Sequence, residues 1–471
     1  MGEKNRFYAD IMAMHSEVTG SCMLVIVKLP NHETRKFVVD CGLFQEREYE
    51  ENNEKLLFNA ENIDFCLVTH NHVDHVGRLP LMVKNGFTKK IYASETTCKL
   101  LPIALGDSYK VLKDLAKRKH SHCLYEEDHV TQMLKLLKPV KYNKTIEIME
   151  GIKATFFMNG HLMGAAIILV QISYPGYEDI NLLFTGDYNV KNIFFDIIPI
   201  PEWVRNLPLT IVQESTYGDM DSTQIQKCFK QNILECIEKG GTAVVPVFSL
   251  GRSQEMLYEI KCMQEEGLLD KAIPIYFDGR LAFRYTEKYL KDDLGIREEM
   301  KNFFPENLKY VDCETRQGIL ESHETKIILT TSGMGSYGPA QIYIPEYITR
   351  SNALIQFTGY CAEGTLGYRL KNAGENEIVE VGGMILRKRA NVEYTTEYSA
   401  HAKADEMINF LQQFSNLKLV LVNHGETRTK SIFAERILNE VDPKYVGILG
   451  REYFFRVNPY GLVKTLSTKF E

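Results

Sequence analysis

Thr69-His70-Asn71-His72-Val73-Asp74-His75-Val76-Gly77 carries four side chains of metal-ligating type, His70, His72, Asp74 and His75, within six residues. It follows Ile63-Asp64-Phe65-Cys66-Leu67-Val68, a short apolar run rich in strand formers, and precedes Gly77-Arg78-Leu79-Pro80-Leu81, where helical spacing resumes. The cluster therefore sits on a strand-to-helix turn. An imidazole pair separated by one residue can converge on a single cation, and Asp74-His75 just beyond points to a second cation beside it. Any one of these histidines alone would read as a helix cap or a satisfied core residue. Four together on such a turn would leave buried polar groups with little to bond unless metal takes them.

The rest of the chain sets bounds on the chemistry. Its 471 residues, 44% hydrophobic and 25% charged, have ordinary globular composition and length for two domains or more. The start, Met1-Gly2-Glu3-Lys4-Asn5-Arg6, lacks an apolar signal region, and Arg6 stands where a myristoylation signal wants Ser or Thr. The longest apolar run, near Gly164 to Val170, is far too short to span a membrane. A soluble, cytoplasmic protein with no membrane partner is expected. Ten cysteines occur without any Cys-x-x-Cys, and Cys22, Cys66 and Cys361 lie in apolar runs that read as buried strands, so they are read as small core residues without disulfides. The net charge of −7 argues against an indiscriminate polyanion binder but leaves room for a nuclease, since bound cations and a local cleft can override the global sign.

In order along the chain, Ser21–Leu29 and Arg35–Val39 read as a β-hairpin leading into Asp40-Cys41-Gly42, where Asp40 by itself is a turn former. Ser94 to Leu137 is helical in spacing; Lys110 to His122 is a solvated face, and His120, His122 and His129 are surface residues. Asn159-Gly160-His161-Leu162-Met163-Gly164-Ala165 interrupts two apolar runs, and Leu182-Leu183-Phe184-Thr185-Gly186-Asp187 ends a strand on a carboxylate. Between about Gly218 and Val392 strand, loop and helix alternate, which predicts a parallel sheet with covering helices. The glycine- and hydroxyl-rich loops of this region either present N–H groups to an anion or simply make tight turns. Strand-end histidines then return at Tyr398-Ser399-Ala400-His401-Ala402 and Leu421-Val422-Asn423-His424-Gly425-Glu426, where His424 is a further ligand candidate.

His70-x-His72-x-Asp74-His75 resembles the signature of the metallo-β-lactamase superfamily, and His161 and Asp187 match its later motifs in order and spacing. With Glu17-Val18-Thr19-Gly20-Ser21-Cys22, Glu214-Ser215-Thr216-Tyr217-Gly218, Gly251-Arg252-Ser253-Gln254-Glu255, Gly359-Tyr360-Cys361-Ala362-Glu363-Gly364-Thr365-Leu366, Ser399-Ala400-His401 and Asn423-His424-Gly425-Glu426, nearly the whole chain is similar to the β-CASP nucleases. That branch includes the pre-mRNA 3′-end cleaving endonuclease, bacterial RNase J and smaller bacterial and archaeal relatives. The resemblance implies an α/β fold: a metallo-β-lactamase αββα sandwich, residues 1–217 and 392–471, with a β-CASP α/β domain inserted at 218–391 and the active site in the cleft between them.

By the same resemblance His70, His72 and His161 hold one zinc, Asp74, His75 and His424 hold a second, and Asp187 bridges them. Manganese could take the same donors. Asp40 would orient a metal-binding loop from outside the ligand set. Zinc ions roughly 3.5–4 Å apart would share a hydroxide that attacks phosphorus in line, with His401 as general acid and Glu214 orienting its ring. Arg252, Ser332, Gly333 and Ser399 are the candidates for holding backbone phosphates. In the RNA-cutting members of the family that it resembles the last motif is a histidine, so His424 favours RNA over DNA. The expected activity is a zinc-dependent endoribonuclease in RNA processing or decay, because the chain ends soon after His424, without the extra C-terminal domain of the RNase J type, and leaves no room for the KH domains of archaeal relatives. Alternatives are a 5′-3′ exoribonuclease, a metallo-hydrolase of a small ester, thioester or phosphodiester, or an inactive scaffold of an RNA-processing complex; the last is disfavoured because all seven ligand positions are filled. An RNA substrate and either a homodimer or an RNA-processing complex are the expected partners. His15, where relatives carry a small residue, is expected near the cleft rim.

Overall fold

The apolar runs of the first 40 residues pair into an antiparallel meander, Tyr8–Ala13, Met23–Lys28 and Thr34–Val39, with Met23 opposite Val39 and Lys28 opposite Thr34. The computed structural model describes residues 6–15, 18–45, 47–291, 295–359, 361 and 363–467; Glu17, Tyr360 and Ala362, quoted among the motifs above, lie outside the described residues. The chain forms two units, Met1–Asn192 with Asp196–Ser222 and His401–Glu471, and Ile193–Phe195 with Thr223–Ala400.

In the first unit the meander is the centre of an eight-stranded sheet. Its order is Gly461–Ser467, Tyr453–Asn458, Tyr8–Ala13, Met23–Lys28, Thr34–Val39, Phe65–Leu67, Lys90–Ser94, Leu137–Val140. A seven-stranded sheet follows the order Val446–Ile448, Leu417–Asn423, Leu209–Glu214, Ile180–Phe184, Ala166–Ile172, Ile152–Met158, Thr145–Met149. One apolar core joins residues of both sheets, among them Ile11, Val25, Phe37, Phe156, Ile168, Leu182 and Leu421. Each such fully buried side chain contributes about 1.5–3 kcal/mol relative to exposure. The other face of the first sheet packs on the helices Glu95–Arg118 and Glu127–Leu136 through Leu101, Leu105 and Met133. Ala404–Leu411 and Thr427–Glu440 cover the second sheet through Met407, Leu411, Phe433 and Ile437. The layers are therefore helix, sheet, sheet, helix.

This arrangement positions the site through strand ends. Phe65–Leu67, Ile152–Met158, Ile180–Phe184, Leu209–Glu214 and Leu417–Asn423 each run straight into a segment carrying a candidate ligand or proton-transfer group. In all five the strand is buried along most of its length, which fixes the backbone that leads into the site.

The second unit contains a six-stranded sheet in the order Leu308–Tyr310, Ile275–Asp278, Lys326–Thr330, Thr242–Pro246, Ala353–Phe357, Asn391–Tyr394, every pair of it parallel. Its strands alternate with helices such as Arg252–Glu265 and Ala340–Tyr347, as the strand-loop-helix texture predicts. A separate two-stranded sheet pairs Ile378–Val381 with Met384–Arg387. All ten cysteines are unbridged. Cys22 and Cys66 are core residues, whereas Cys361, also buried, sits in the turn after Ala353–Phe357 and not in a strand, because the apolar run ends before it. Among the described residues no helix is long and apolar enough to cross a membrane.

Candidate metal centre

The quoted stretch leaves strand Phe65–Leu67, passes His70 in a turn, and enters the short helix Val73–Val76, which His72 precedes in extended conformation. Two long-range backbone hydrogen bonds clamp this loop. Cys41 N–H donates to the His75 carbonyl (2.7 Å) and Ser21 N–H to the Asp74 carbonyl (2.8 Å). Gly42 presses so closely that a Cβ there would lie 1.5 Å from the Asp74 carbonyl oxygen, so no other residue fits without moving the helix that carries Asp74 and His75.

Asp40 is fully buried at φ 60°, a left-handed conformation that Asp tolerates better than most residues. Its carboxylate accepts the Thr69 N–H (2.8 Å), the Thr69 hydroxyl (2.7 Å) and the ring N–H of His75 at Nδ1 (2.9 Å). Holding Nδ1 on Asp40 turns His75 Nε2 toward Asp187, 3.2 Å away. Asp40→Asn should therefore lower metal affinity about 10–100-fold by releasing that ring and loop. Competition with a chelator of known affinity measures it; unchanged affinity would remove Asp40 from the site.

Two four-residue clusters share one carboxylate. His70, His72, His161 and Asp187 bring one potential ligand atom each to within 4.8 Å of one another, and so do Asp74, His75, Asp187 and His424. His161 Nε2 lies 3.1 Å from His72 Nδ1, and His75 Nε2 lies 3.3 Å from His424 Nε2. Asp187 Oδ2 is 3.7 Å from His70 Nε2, and Oδ1 is 3.3 Å from His424 Nδ1. Yet His70 Nε2 and Asp187 Oδ1 are buried and make no hydrogen bond. Such groups are costly to bury unsatisfied. Imidazole and carboxylate groups converging, with two of their buried atoms left unbonded, fit divalent cations, and no thiolate stands among them.

The electrostatics agree. Burial holds His72 neutral, its pKa lowered to about 4, and with help from His75 and His161 it holds the His70 pKa well below 6.5. Burial opposes charge on Asp74, but the hydrogen bond from His424 and the nearby His75 and His72 outweigh it and bring the pKa to about 2. Burial likewise opposes charge on His75, while Asp187 and Asp40 pull its pKa well above 6.5. The carboxylates thus stay ionised and the pocket attracts positive charge.

Glu214 and His401 form a third group with Asp187. Glu214 is buried at the end of Leu209–Glu214; its oxygens accept the N–H of Tyr188 (2.7 Å) and of Thr216 (3.3 Å) and lie 3.1 and 3.0 Å from His401 Nδ1. The His401 ring stands 4.7 Å from the His161 ring, centroid to centroid, and remains partly exposed. Burial works against its protonation, but Glu214 and then Asp187 raise its pKa above the ordinary 6.5.

Some contributors carried no signal of their own in the sequence. Asn159 accepts the His161 N–H (3.0 Å) and donates to the carbonyls of Thr185 (3.3 Å) and Asp187 (3.0 Å), tying two ligand loops together. Thr216 places its hydroxyl 3.1 Å from His424 Nδ1. Both stand in quoted motifs beside ligands, which was the only available hint. His15 is not at a rim. It is 1% exposed, and its Nδ1 accepts the N–H of Cys22 (3.2 Å), because the segment after Tyr8–Ala13 folds inward to bond Cys22.

The phosphate candidates belong to the second unit. Arg252 is buried, paired to Glu255 at 2.6 Å, with its guanidinium 5.9 Å from the Tyr398 ring centre. The Ser332 hydroxyl accepts the Tyr337 N–H (3.3 Å); Gly333 abuts the Phe248 ring, which a Cβ would meet at 2.6 Å; Ser399 is half-buried in a turn on Thr396.

Family models match three consecutive stretches: the metallo-β-lactamase superfamily over residues 16–209, the Beta-Casp domain over 253–370, and the Zn-dependent metallo-hydrolase RNA specificity domain over 385–446. This chain is a member of the metallo-β-lactamase superfamily, in its β-CASP branch. It is 30% identical over 439 residues to the transcription termination factor FttA of Methanosarcina mazei, covering 88% of this chain and 66% of that protein. It is 28% identical over 423 residues to the ribonuclease TTHA0252 of Thermus thermophilus, with 87% and 91% covered. Integrator complex subunit 11 of Danio rerio is 25% identical over 442 residues, with 90% and 70% covered. The chain thus spans about two thirds of the FttA length and nearly all of the ribonuclease's.

Proposed function

We propose that this β-CASP protein is a zinc-dependent endoribonuclease that hydrolyses RNA phosphodiester bonds in RNA processing, decay or termination. The observation that carries it is the placement of His401, held by buried Glu214, beside two ligand clusters that share Asp187. His70, His72 and His161 would hold one cation, Asp74, His75 and His424 another, with Asp187 between them and Asp40 fixing the His75 ring. When bound, the cations supply Lewis acidity at the phosphoryl oxygens and lower the pKa of coordinated water, so that a nucleophile exists near neutral pH. His401 donates a proton to the departing sugar oxygen, and Glu214 keeps the ring oriented and charged for that step. Arg252, Ser332, Gly333 and Ser399 remain the candidates for the RNA backbone.

RNA is the substrate that the relatives' names favour, since one is a ribonuclease and another a transcription termination factor. Membership in a larger RNA-processing complex belongs to the same proposal, by likeness to an Integrator subunit. Ten unbridged thiols suit a reducing compartment, and we place the activity in the cytoplasm.

The test is a long RNA, labelled at its 5′ end or internally, given to protein of measured metal content, with a matched DNA beside it. Internal RNA fragments that disappear with Asp187→Ala and with chelation are the expected result. Mononucleotides released from the 5′ end would replace the endonucleolytic mode by an exonucleolytic one. Intact RNA in the presence of two bound metals, with turnover of a small ester, would overturn the proposal.

A further inference from the structure

Strands Ile378–Val381 and Met384–Arg387 are joined by Gly382-Gly383, at φ 61° and 80°, a turn open to glycine that matches the twist of a two-residue hairpin. The inner face is anchored: Val381 is buried, and Val379 and Leu386 pack against the core of the second unit. By strand alternation the outer face consists of Ile378, Glu380, Ile385 and Arg387, all exposed. Ile378 is 59% and Ile385 70% exposed, the latter the most exposed large apolar side chain among the described residues.

The register sets Ile378 opposite Arg387 and Glu380 opposite Ile385. The two isoleucines therefore occupy one diagonal of the face, the acid and the base the other. Glu380 makes no ion pair with a described residue; neither does Arg387, which spends one N–H on the Asn376 carbonyl at 2.8 Å and has others to offer.

We propose that this face docks on the same face of a second copy of the chain, about a two-fold axis lying along the Ile378–Ile385 diagonal. Rotation about that axis sets each isoleucine on its own counterpart. It also brings Glu380 of each copy over Arg387 of the partner subunit, within reach of these long side chains. The other diagonal would set acid on acid and base on base. A contact between identical subunits needs one patch complementary to itself, and this arrangement of four residues meets that requirement in both apolar and charged terms. The face is a single hairpin, well under the roughly 1,200 Å² of total buried area typical of stable complexes. Association is accordingly weak and concentration-dependent.

Sedimentation velocity of the full chain from micromolar to near-millimolar concentration, at low salt, tests this. Wild type should associate reversibly, and Glu380→Arg or Arg387→Glu alone should weaken association about tenfold or more by opposing like charges. An equimolar mixture of the two single variants should recover wild-type association, since one copy then carries two bases and the other two acids. The double exchange should recover it within one chain. All four side chains are exposed, so unchanged metal content and circular dichroism are expected throughout. A wild type that stays monomeric over the range, single variants that associate like wild type, or a mixture that fails to recover association would each overturn the proposal.

Discussion

Changing His401 to alanine should slow RNA cleavage by about 10²–10⁴-fold while leaving the metal content of the protein unchanged. The separation follows from position. His401 belongs to neither of the four-residue clusters, and its Nδ1 is taken by Glu214 at 3.0 Å, so removing it should delete the proposed proton donor and leave both clusters whole. The loss should fall on kcat more than on KM, because the proton moves only as the sugar oxygen leaves. The pH profile gives a second reading. Glu214 raises the His401 pKa above 6.5, so the protonated form that can donate is present below that pKa and is lost as pH rises through it. Glu214→Gln removes the carboxylate that outweighs burial, and the alkaline limb should move to lower pH. Bound cations oppose protonation in both proteins, so the shift between them, and not either absolute position, is the measurement. Near-normal cleavage by His401→Ala, or loss of metal with it, would take this residue out of the proton-donor role.

How much of this was legible in the sequence depended on the range of the contact concerned. The cluster from His70 to His75 could be read because its four side chains are local and the apolar run before them fixes where the strand ends. The parallel sheet of the second unit was legible in its repeating texture, and the αββα sandwich through the resemblance. What joins distant segments was not. Asp40 reads as a turn former until Thr69, 29 residues on, is seen donating to both of its oxygens. Glu214 reads as a cap or surface charge, yet it is buried and meets a histidine 187 residues later. Neither pairing leaves a periodic or compositional trace. His15 is a similar case: the family resemblance suggests the cleft rim, and only the inward fold of that segment onto Cys22 puts the residue inside. The hairpin Ile378–Arg387 leaves no clear trace in the sequence, because its alternation mixes apolar and charged residues on one face.

Asp187→Ala should remove both cations together. Asp187 is the one residue common to the two clusters, 3% exposed, with one oxygen 3.2 Å from His75 and the other 3.3 Å from His424. Its ionised state is secured against burial by His424 and His75, which hold its pKa well below 3.8. Without that charge Asp74 is the only carboxylate left among the ligands of the two clusters, set against two dications in a buried pocket. Affinity at both positions should collapse, and cleavage with it. Stability gives a readout independent of activity. Zinc at about a thousand times its dissociation constant adds about 4 kcal/mol per site to a protein that binds it only when folded. Wild type should therefore melt several degrees higher in zinc than in chelator, whereas Asp187→Ala should melt alike in both. Asp187→Asn separates shape from charge: it keeps an oxygen in place but removes the negative charge, and should behave like the alanine variant if charge balance holds the pair of cations. A variant that retains two metals per chain and a zinc-dependent rise in Tm would show that Asp74 and the histidines hold the cations without Asp187, and that Asp187 does not bridge them.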